Sequence, residues 1–315
     1  MCFRSALAER FPRRDNPTFC TGDRVTRIIE LHIVVVFSHG GGMNLFPYDA
    51  EDLAQFLVAG KTWQQWCEER EVLGVSAREN VWISAADVNA LLSAGGAASL
   101  SIDGEVVATA GNGDCCAGET VIALADSFVI NYVWDLLKVN EQVIKSLPKD
   151  KIDGEVHENA VIEGTVHIGE GTRILPGVYI EGNVVIGKNA KIGPNCYIRG
   201  NTSIGDHCHI GQSVEVKNSM IGNNTNIGHL SYIGDSILGH NANLGAGTIT
   251  SNFRHDGKNH LSMIGEELID TGRRKFGAII ADEVHTGINT SIYPGRKLGK
   301  NVTTLPGEVI KRDKI

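Results

Sequence analysis

Every sixth residue from Ile162 is a β-branched aliphatic: Ile168, Ile174, Ile180, Ile186, Ile192, Ile198, Ile204, Ile210 and Val216 follow without a gap. Two positions before each stands a small or β-branched side chain: Ala160, Val166, Thr172, Val178, Val184, Ala190, Cys196, Thr202, Cys208 and Val214. Neither a 3.6-residue helix nor an alternating strand has a period of six. One short strand plus one turn does, and three such units make a coil of a triangular parallel β-helix whose aliphatics fill the prism. Glycine often follows the aliphatic, as at Gly169, Gly187, Gly193, Gly205 and Gly211, and is read as relief for corners that need positive φ. The expected fold is therefore mainly β, a parallel β-helix of hexapeptide repeats over residues 151–315.

The register slips to five between Val216 and Ile221 and again between Ile233 and Leu238. The period then stops over a polar stretch, residues 251–277, and resumes at Ile280, Thr286, Ile292, Leu298, Thr304 and Ile310. A stretch that long without the period reads as a functional loop extruded from one coil.

Residues 1–28 are Arg-rich and aperiodic and are read as a tail. Residues 29–150 are read as a small, degenerate α/β domain. Its expected elements are a strand over Ile29–Phe37, a turn at Ser38–Gly42, and helices over Ala50–Ala59 and Thr62–Glu71. Strands over Val81–Ser84, Glu105–Thr109 and Thr120–Ala123 follow, then a helix through Tyr132–Leu147. Pro148, Lys149 and Asp150 join it to the repeats. The formal charge of −8 lies in this half: residues 1–150 hold 12 Lys+Arg against 20 Asp+Glu, while the rest holds 17 of each. Excess acid opposes nucleic-acid or acidic-membrane binding there.

No apolar run approaches the ~20 residues that cross a bilayer, and the N-terminus lacks a signal-peptide core. Seven cysteines, an odd number without a CxxC pair, do not form a disulfide framework. The expectation is a soluble, cytoplasmic protein with reduced thiols, Cys196 and Cys208 lying in the core.

Three runs, VEVKNS (214–219), GHLSYIGD (228–235) and NLGAGTITSN (243–252), stand in order and close together. They resemble the acetyltransferase domain of the bifunctional N-acetylglucosamine-1-phosphate uridylyltransferase/glucosamine-1-phosphate acetyltransferase family. GRRKFGAIIADEVHTGINTSIYPG (272–295) is more similar to archaeal-type sugar-1-phosphate nucleotidyltransferases with the same β-helix. WDLLKVNEQVI (134–144) resembles the end of their nucleotidyltransferase domain. The resemblance spans about half the chain and implies a left-handed coil and a homotrimer with sites between subunits. The front half departs from the family: its G-x-G-T-R-type phosphate loop has no match, and His39–Met43 lacks the arginine. Uridylyl or thymidylyl transfer is accordingly not expected.

The resemblance implies that His229 is a general base, and an imidazole that titrates near neutrality suits that task. Arg199 and Lys217 match phosphate and sugar contacts. Their spacing of 18 residues is one full coil, which independently stacks them on one edge. Tyr232 and Asn243 match hexosamine contacts, and Glu215 is a further candidate for the sugar amine or hydroxyls. Where the family carries a lysine, His260 stands, and Lys275 within Arg273–Lys275 is the candidate substitute. Acetyl-CoA is the implied co-substrate, met by backbone groups at Ala246 and Gly247. Its phosphates would fall to Arg296, Lys297 and Lys300, or to Lys311, Arg312 and Lys314. No metal is expected for acetyl transfer. Competing readings are a zinc site using His207/His209 and His255/His260, a non-catalytic trimeric scaffold, and a working sugar-1-phosphate nucleotidyltransferase.

Overall fold

Aliphatic side chains at the six-residue positions converge on one axis, and the backbone follows them. The computed structural model describes residues 57–58, 61–62, 65, 75–77, 80–94, 98–110, 119–122 and 126–315, all within the unit Ile33–Ile315. From Lys151 onward the chain is a left-handed parallel β-helix of about nine turns. Face I stacks eight strands from Lys151–Ile152 to Arg296–Leu298. Face II stacks seven from Glu155–Val156 to His285–Thr286, and face III eight from Val161–Glu163 to Val309–Ile310. The chain visits the faces in the order I, II, III.

Register is kept by the interior. Ile180, Ile198, Val216 and Ile233 pair in succession up face III, all buried. Each buried aliphatic contributes about 2 kcal/mol of transfer free energy, and a one-residue slip would turn the whole column to solvent. The small residues, Cys196 and Cys208 among them, fill the remaining volume. Burial pushes both thiols up to about 12, so neither is a nucleophile near neutral pH.

The two slips fall at the same corner, from face III to face I, where Ile204 pairs with Ile221 and Ile221 with Leu238. The shortened corner is sealed by a hydroxyl ladder. Ser219 N–H donates to Thr202 Oγ1, Ser236 N–H to Ser219 Oγ and Ala278 N–H to Ser236 Oγ. Of the glycines after the aliphatics, Gly193 holds the expected positive φ, +98, and the others have a different reason. At Gly187 and Gly205 a Cβ would stand 2.7 and 2.8 Å from the backbone of the next coil, so close approach selects glycine. Positive φ is shared between other glycines, such as Gly171, Gly177, Gly200 and Gly247, and the asparagines Asn189, Asn195, Asn218, Asn224, Asn241, Asn289 and Asn301, whose short side chains tolerate it.

Leu230 breaks that rule. It holds φ +50 and is 66% exposed, a leucine where most other left-handed corners place glycine or asparagine. Left-handed backbone costs a non-glycine residue about 1 kcal/mol. Leu230→Asn is therefore expected to raise unfolding free energy by about 0.5–1 kcal/mol in chemical denaturation. A loss instead would mean that the leucine is covered in solution.

The helix Asp135–Lys145 lies on the outside of face I. Trp134, Leu137, Val139 and Val143 pack with Met220, Ile237 and Ile279, which point outward from that face. Asn140 Nδ2 donates to Asn201 O at 3.0 Å and Asn183 Nδ2 to Ile144 O at 3.2 Å. Ahead of it, strands Val75–Ala77, Ala98–Ile102, Glu105–Ala110 and Glu119–Ile122 form a mixed sheet with the helix Ala85–Ser93, capped by Ser84. The strand Val75–Ala77, the helix Ala85–Ser93 and the strand Ala98–Ile102 carry no strong periodicity and escape sequence reading. Leu57–Val58 pairs antiparallel with Lys61–Thr62, where a helix is expected over Ala50–Ala59. The tail, the strand Ile29–Phe37, the turn Ser38–Gly42 and most of Thr62–Glu71 lie outside the described residues.

The segment 251–277 carries structure of its own. Leu261–Ile264 and Glu267–Asp270 form an antiparallel hairpin whose Ile264 and Ile269 pack against the helix-bearing core of face I. Lys297 is fully buried beneath it, its ammonium donating to Asp313 Oδ2 at 3.2 Å and to the Met263 carbonyl.

Candidate functional site

Cross-strand register assembles a polar surface on face III. Tyr197, Glu215, Tyr232 and Ile249 follow one another in one outward column, and Arg199, Lys217 and Gly234 in the next. Arg199 and Lys217 are direct parallel partners, as their one-coil spacing requires. Each cation is already held by a carboxylate. Arg199 Nε and NH2 reach Glu215 Oε1 at 2.8 and 2.7 Å. Lys217 Nζ meets Asp235 Oδ2 at 2.8 Å, and Asp235 is 2% exposed. An ammonium has three donors, so two remain for a ligand, and the guanidinium keeps its others.

Asp235 organises more than Lys217. Its Oδ2 also accepts from Asn252 Nδ2 at 2.6 Å, and its Oδ1 from Asn218 Nδ2 at 3.0 Å. Asn252 Nδ2 reaches Tyr232 Oη as well, at 2.9 Å. Burial foremost, then the carboxylates of Asp235 and Glu215, push the Tyr232 phenol up, so it stays protonated near neutral pH. Its oxygen accepts from Asn252 and its proton is free to be donated outward. Asp235, Asn252 and Asn218 are absent from the residues singled out in sequence. A buried Asp beside a family-matched lysine is visible only once the shortened coil is applied, which puts Gly234 above Lys217 and Asp235 next to it.

His229 ends the strand Asn226–His229 on face II, at the corner leading to face III, with its side chain exposed. Among the described residues its ring makes no hydrogen bond. Ala246 and Gly247 sit one coil above, where Gly247 N–H donates to the His229 carbonyl at 3.2 Å. That amide is committed within the coil. The Ala246 amide makes no hydrogen bond among the described residues. Asn243 lies on face II between Asn226 and His285, across the corner from Tyr232. The site residues thus straddle a convex edge, and a convex edge encloses nothing without a second wall.

The basic segment divides. Arg273 NH2 pairs with Glu141 at 2.5 Å and Arg274 Nε donates to Gly257 O at 3.0 Å. Lys275, its backbone bridged to Phe253 beside Asn252, is exposed and makes no side-chain bond among the described residues. His260 is buried, its Nε2 donating to the Asn252 carbonyl at 3.0 Å, with burial holding its pKa low. It anchors the segment rather than reaching a ligand. Lys297, buried and paired with Asp313, is not free for a cofactor phosphate, which corrects that expectation, while Lys314 pairs with Glu308 at 2.9 Å at the surface. Among the described residues no group of three or more His, Cys, Asp or Glu is placed to hold a metal ion, and no helix is long and apolar enough to cross a membrane.

Residues 180–293 match the family model of the GMPPB C-terminal domain. Over 180 residues the chain is 43% identical to a bifunctional sugar-1-phosphate nucleotidylyltransferase/acetyltransferase of Sulfurisphaera tokodaii, covering 57% of this chain and 45% of that protein. It is 47% identical over 168 residues to the bifunctional protein GlmU of Methanococcus aeolicus, covering 53% of this chain and 40% of that protein. The chain thus spans less than half the length of these relatives. The solved polySia-specific acetyltransferase NeuO aligns over 53% of this chain and 80% of its own at 16% identity and a TM-score of 0.23, too loosely to transfer any residue.

Proposed function

We propose that the chain is an acetyl-CoA-dependent N-acetyltransferase acting on an amino-sugar 1-phosphate, glucosamine 1-phosphate or galactosamine 1-phosphate. The observation that carries this reading is the register stack of Arg199 and Lys217 with Tyr232, one strand end away from an exposed His229. Similarity of the repeat half to bifunctional nucleotidyltransferase/acetyltransferases supports it. Arg199 and Lys217 grip the phosphate. Because Glu215 and Asp235 already balance their charge, Lys275 supplies the net positive charge that a phosphate dianion needs.

Tyr232 donates its free phenolic proton to a sugar oxygen, and Asn243 meets the hexosamine from face II. Glu215 faces the sugar amine or hydroxyls. His229 removes a proton from the acceptor nitrogen as that nitrogen bonds to the thioester carbonyl carbon. The Ala246 N–H stabilises the resulting oxyanion. Collapse breaks the carbon–sulfur bond, the amide stays on the sugar, and the CoA thiol leaves with the proton. A second copy supplies the missing wall at the corner, in a ring that closes as a homotrimer.

The test is product analysis by NMR after incubation with acetyl-CoA and each amino-sugar 1-phosphate, with a parallel arm of UTP plus N-acetylglucosamine 1-phosphate. The reading expects an N-acetylated sugar in the first arms and none of the nucleotide sugar in the last. Nucleotide sugar without acetylated sugar would reverse it.

A further inference from the structure

Among the described residues, the front half of the chain reaches the candidate site through a carboxylate of the helix Asp135–Lys145. Glu141, on the helix Asp135–Lys145, accepts two hydrogen bonds on a single oxygen. Arg273 NH2 reaches Oε1 at 2.5 Å from the end of the 251–277 segment, and Asn218 Nδ2 at 2.9 Å from the shortened corner. Asn218 immediately follows Lys217 and sits in left-handed backbone, φ +47, with its N–H bonded to Arg199 O at 2.9 Å. Its amide also donates to Asp235 Oδ1 at 3.0 Å. Asp235 Oδ2 holds Lys217 Nζ and the Asn252 amide that reaches Tyr232. A continuous hydrogen-bonded path therefore runs from the helix through Asn218 and Asp235 to the two side chains assigned to the acceptor.

We infer that Glu141 is a positioning residue for the acceptor subsite, and that the helix from the front half is a working part of that subsite. This rests on the reading given under Proposed function. The mechanism is steric as much as electrostatic. An Asn amide has two protons, and with Glu141 and Asp235 as its two acceptors it is locked in one orientation. That orientation turns Asp235 Oδ2 toward Lys217 and Asn252. Without Glu141 the amide is free to rotate, and the half-buried Arg273 loses the carboxylate it pairs with. The helix cannot drift to compensate, because Trp134, Leu137 and Val143 seat it on Met220, Ile237 and Ile279. The carboxylate is thus delivered to one place by apolar packing and used there by polar groups.

The test uses the full chain and steady-state kinetics with both substrates varied. Glu141→Ala is expected to raise KM for the amino-sugar 1-phosphate about tenfold, the usual effect of losing a charged hydrogen bond, with KM for acetyl-CoA unchanged. Glu141→Gln keeps an oxygen acceptor at the same place and is expected to restore most of the acceptor KM. Asn218→Ala is expected to copy Glu141→Ala, and the double variant to be no worse than either, since both act through one path. Thermal denaturation of each variant separates a general loss of fold from this effect. Wild-type turnover with an acceptor KM unmoved in Glu141→Ala overturns the inference alone. Equal rises in both KM values, tracking the melting temperature and unrelieved by Glu141→Gln, also overturn it in favour of a structural role. A folded wild type that acetylates neither sugar overturns the proposed function, and this inference with it.

Discussion

His229→Ala is expected to lower kcat for acetyl transfer by about 10²–10⁴, the range for removing a positioned general base. Its side chain is exposed and makes no hydrogen bond among the described residues, so the same substitution is expected to change stability by no more than about 0.5 kcal/mol. KM for the sugar phosphate should change little, because Arg199, Lys217 and Tyr232 are on face III and do not touch the imidazole. A large fall in kcat beside an unchanged melting curve is the signature of chemistry rather than folding. If kcat falls less than about threefold, the proton leaves by another route and His229 is a corner histidine.

The second large effect is on stability and binding together. Asp235→Ala strands three donors at once: Lys217 Nζ and the side-chain amides of Asn218 and Asn252. Removing one partner of a buried ion pair costs about 3–5 kcal/mol, so the melting temperature is expected to fall by roughly 10 °C. Asp235→Asn keeps the oxygen and loses the charge, and is expected to lie between the two. Below their melting points both variants should bind acceptor poorly, because Lys217 and the Asn252–Tyr232 pair lose a common reference. A fall of less than about 1 kcal/mol in Asp235→Ala would show that solvent replaces the carboxylate, which its 2% exposure argues against.

The repeat half was legible because a six-residue period with an aliphatic at each step admits few other folds. Pairing Arg199 with Lys217 needed only the length of one coil. The two five-residue steps were visible as numbers, but their cause, a hydroxyl ladder under a docked helix, depends on Thr202, Ser219 and Ser236 meeting across coils. Glycine was the right residue for a partly wrong reason: Gly187 and Gly205 serve proximity, while positive φ falls to Gly193, other glycines and asparagines. The front half was harder. Ala85–Ser93 is short and of weak amphipathic pattern, and the 261–270 hairpin hides in a polar stretch. Non-local contacts such as Glu141 with Asn218, 77 positions apart, leave no trace in a single sequence. His260 illustrates the limit most plainly: family spacing draws attention to it as a ligand position, and burial makes it an anchor.

CoA thiol release by the full chain, followed with acetyl-CoA in the presence and absence of each amino-sugar 1-phosphate, tests the central claim most directly. Release that depends on the sugar and vanishes when the sugar is already N-acetylated is the result predicted by His229 at the edge of the Arg199–Lys217 stack. A folded protein that releases no thiol with either sugar would contradict it.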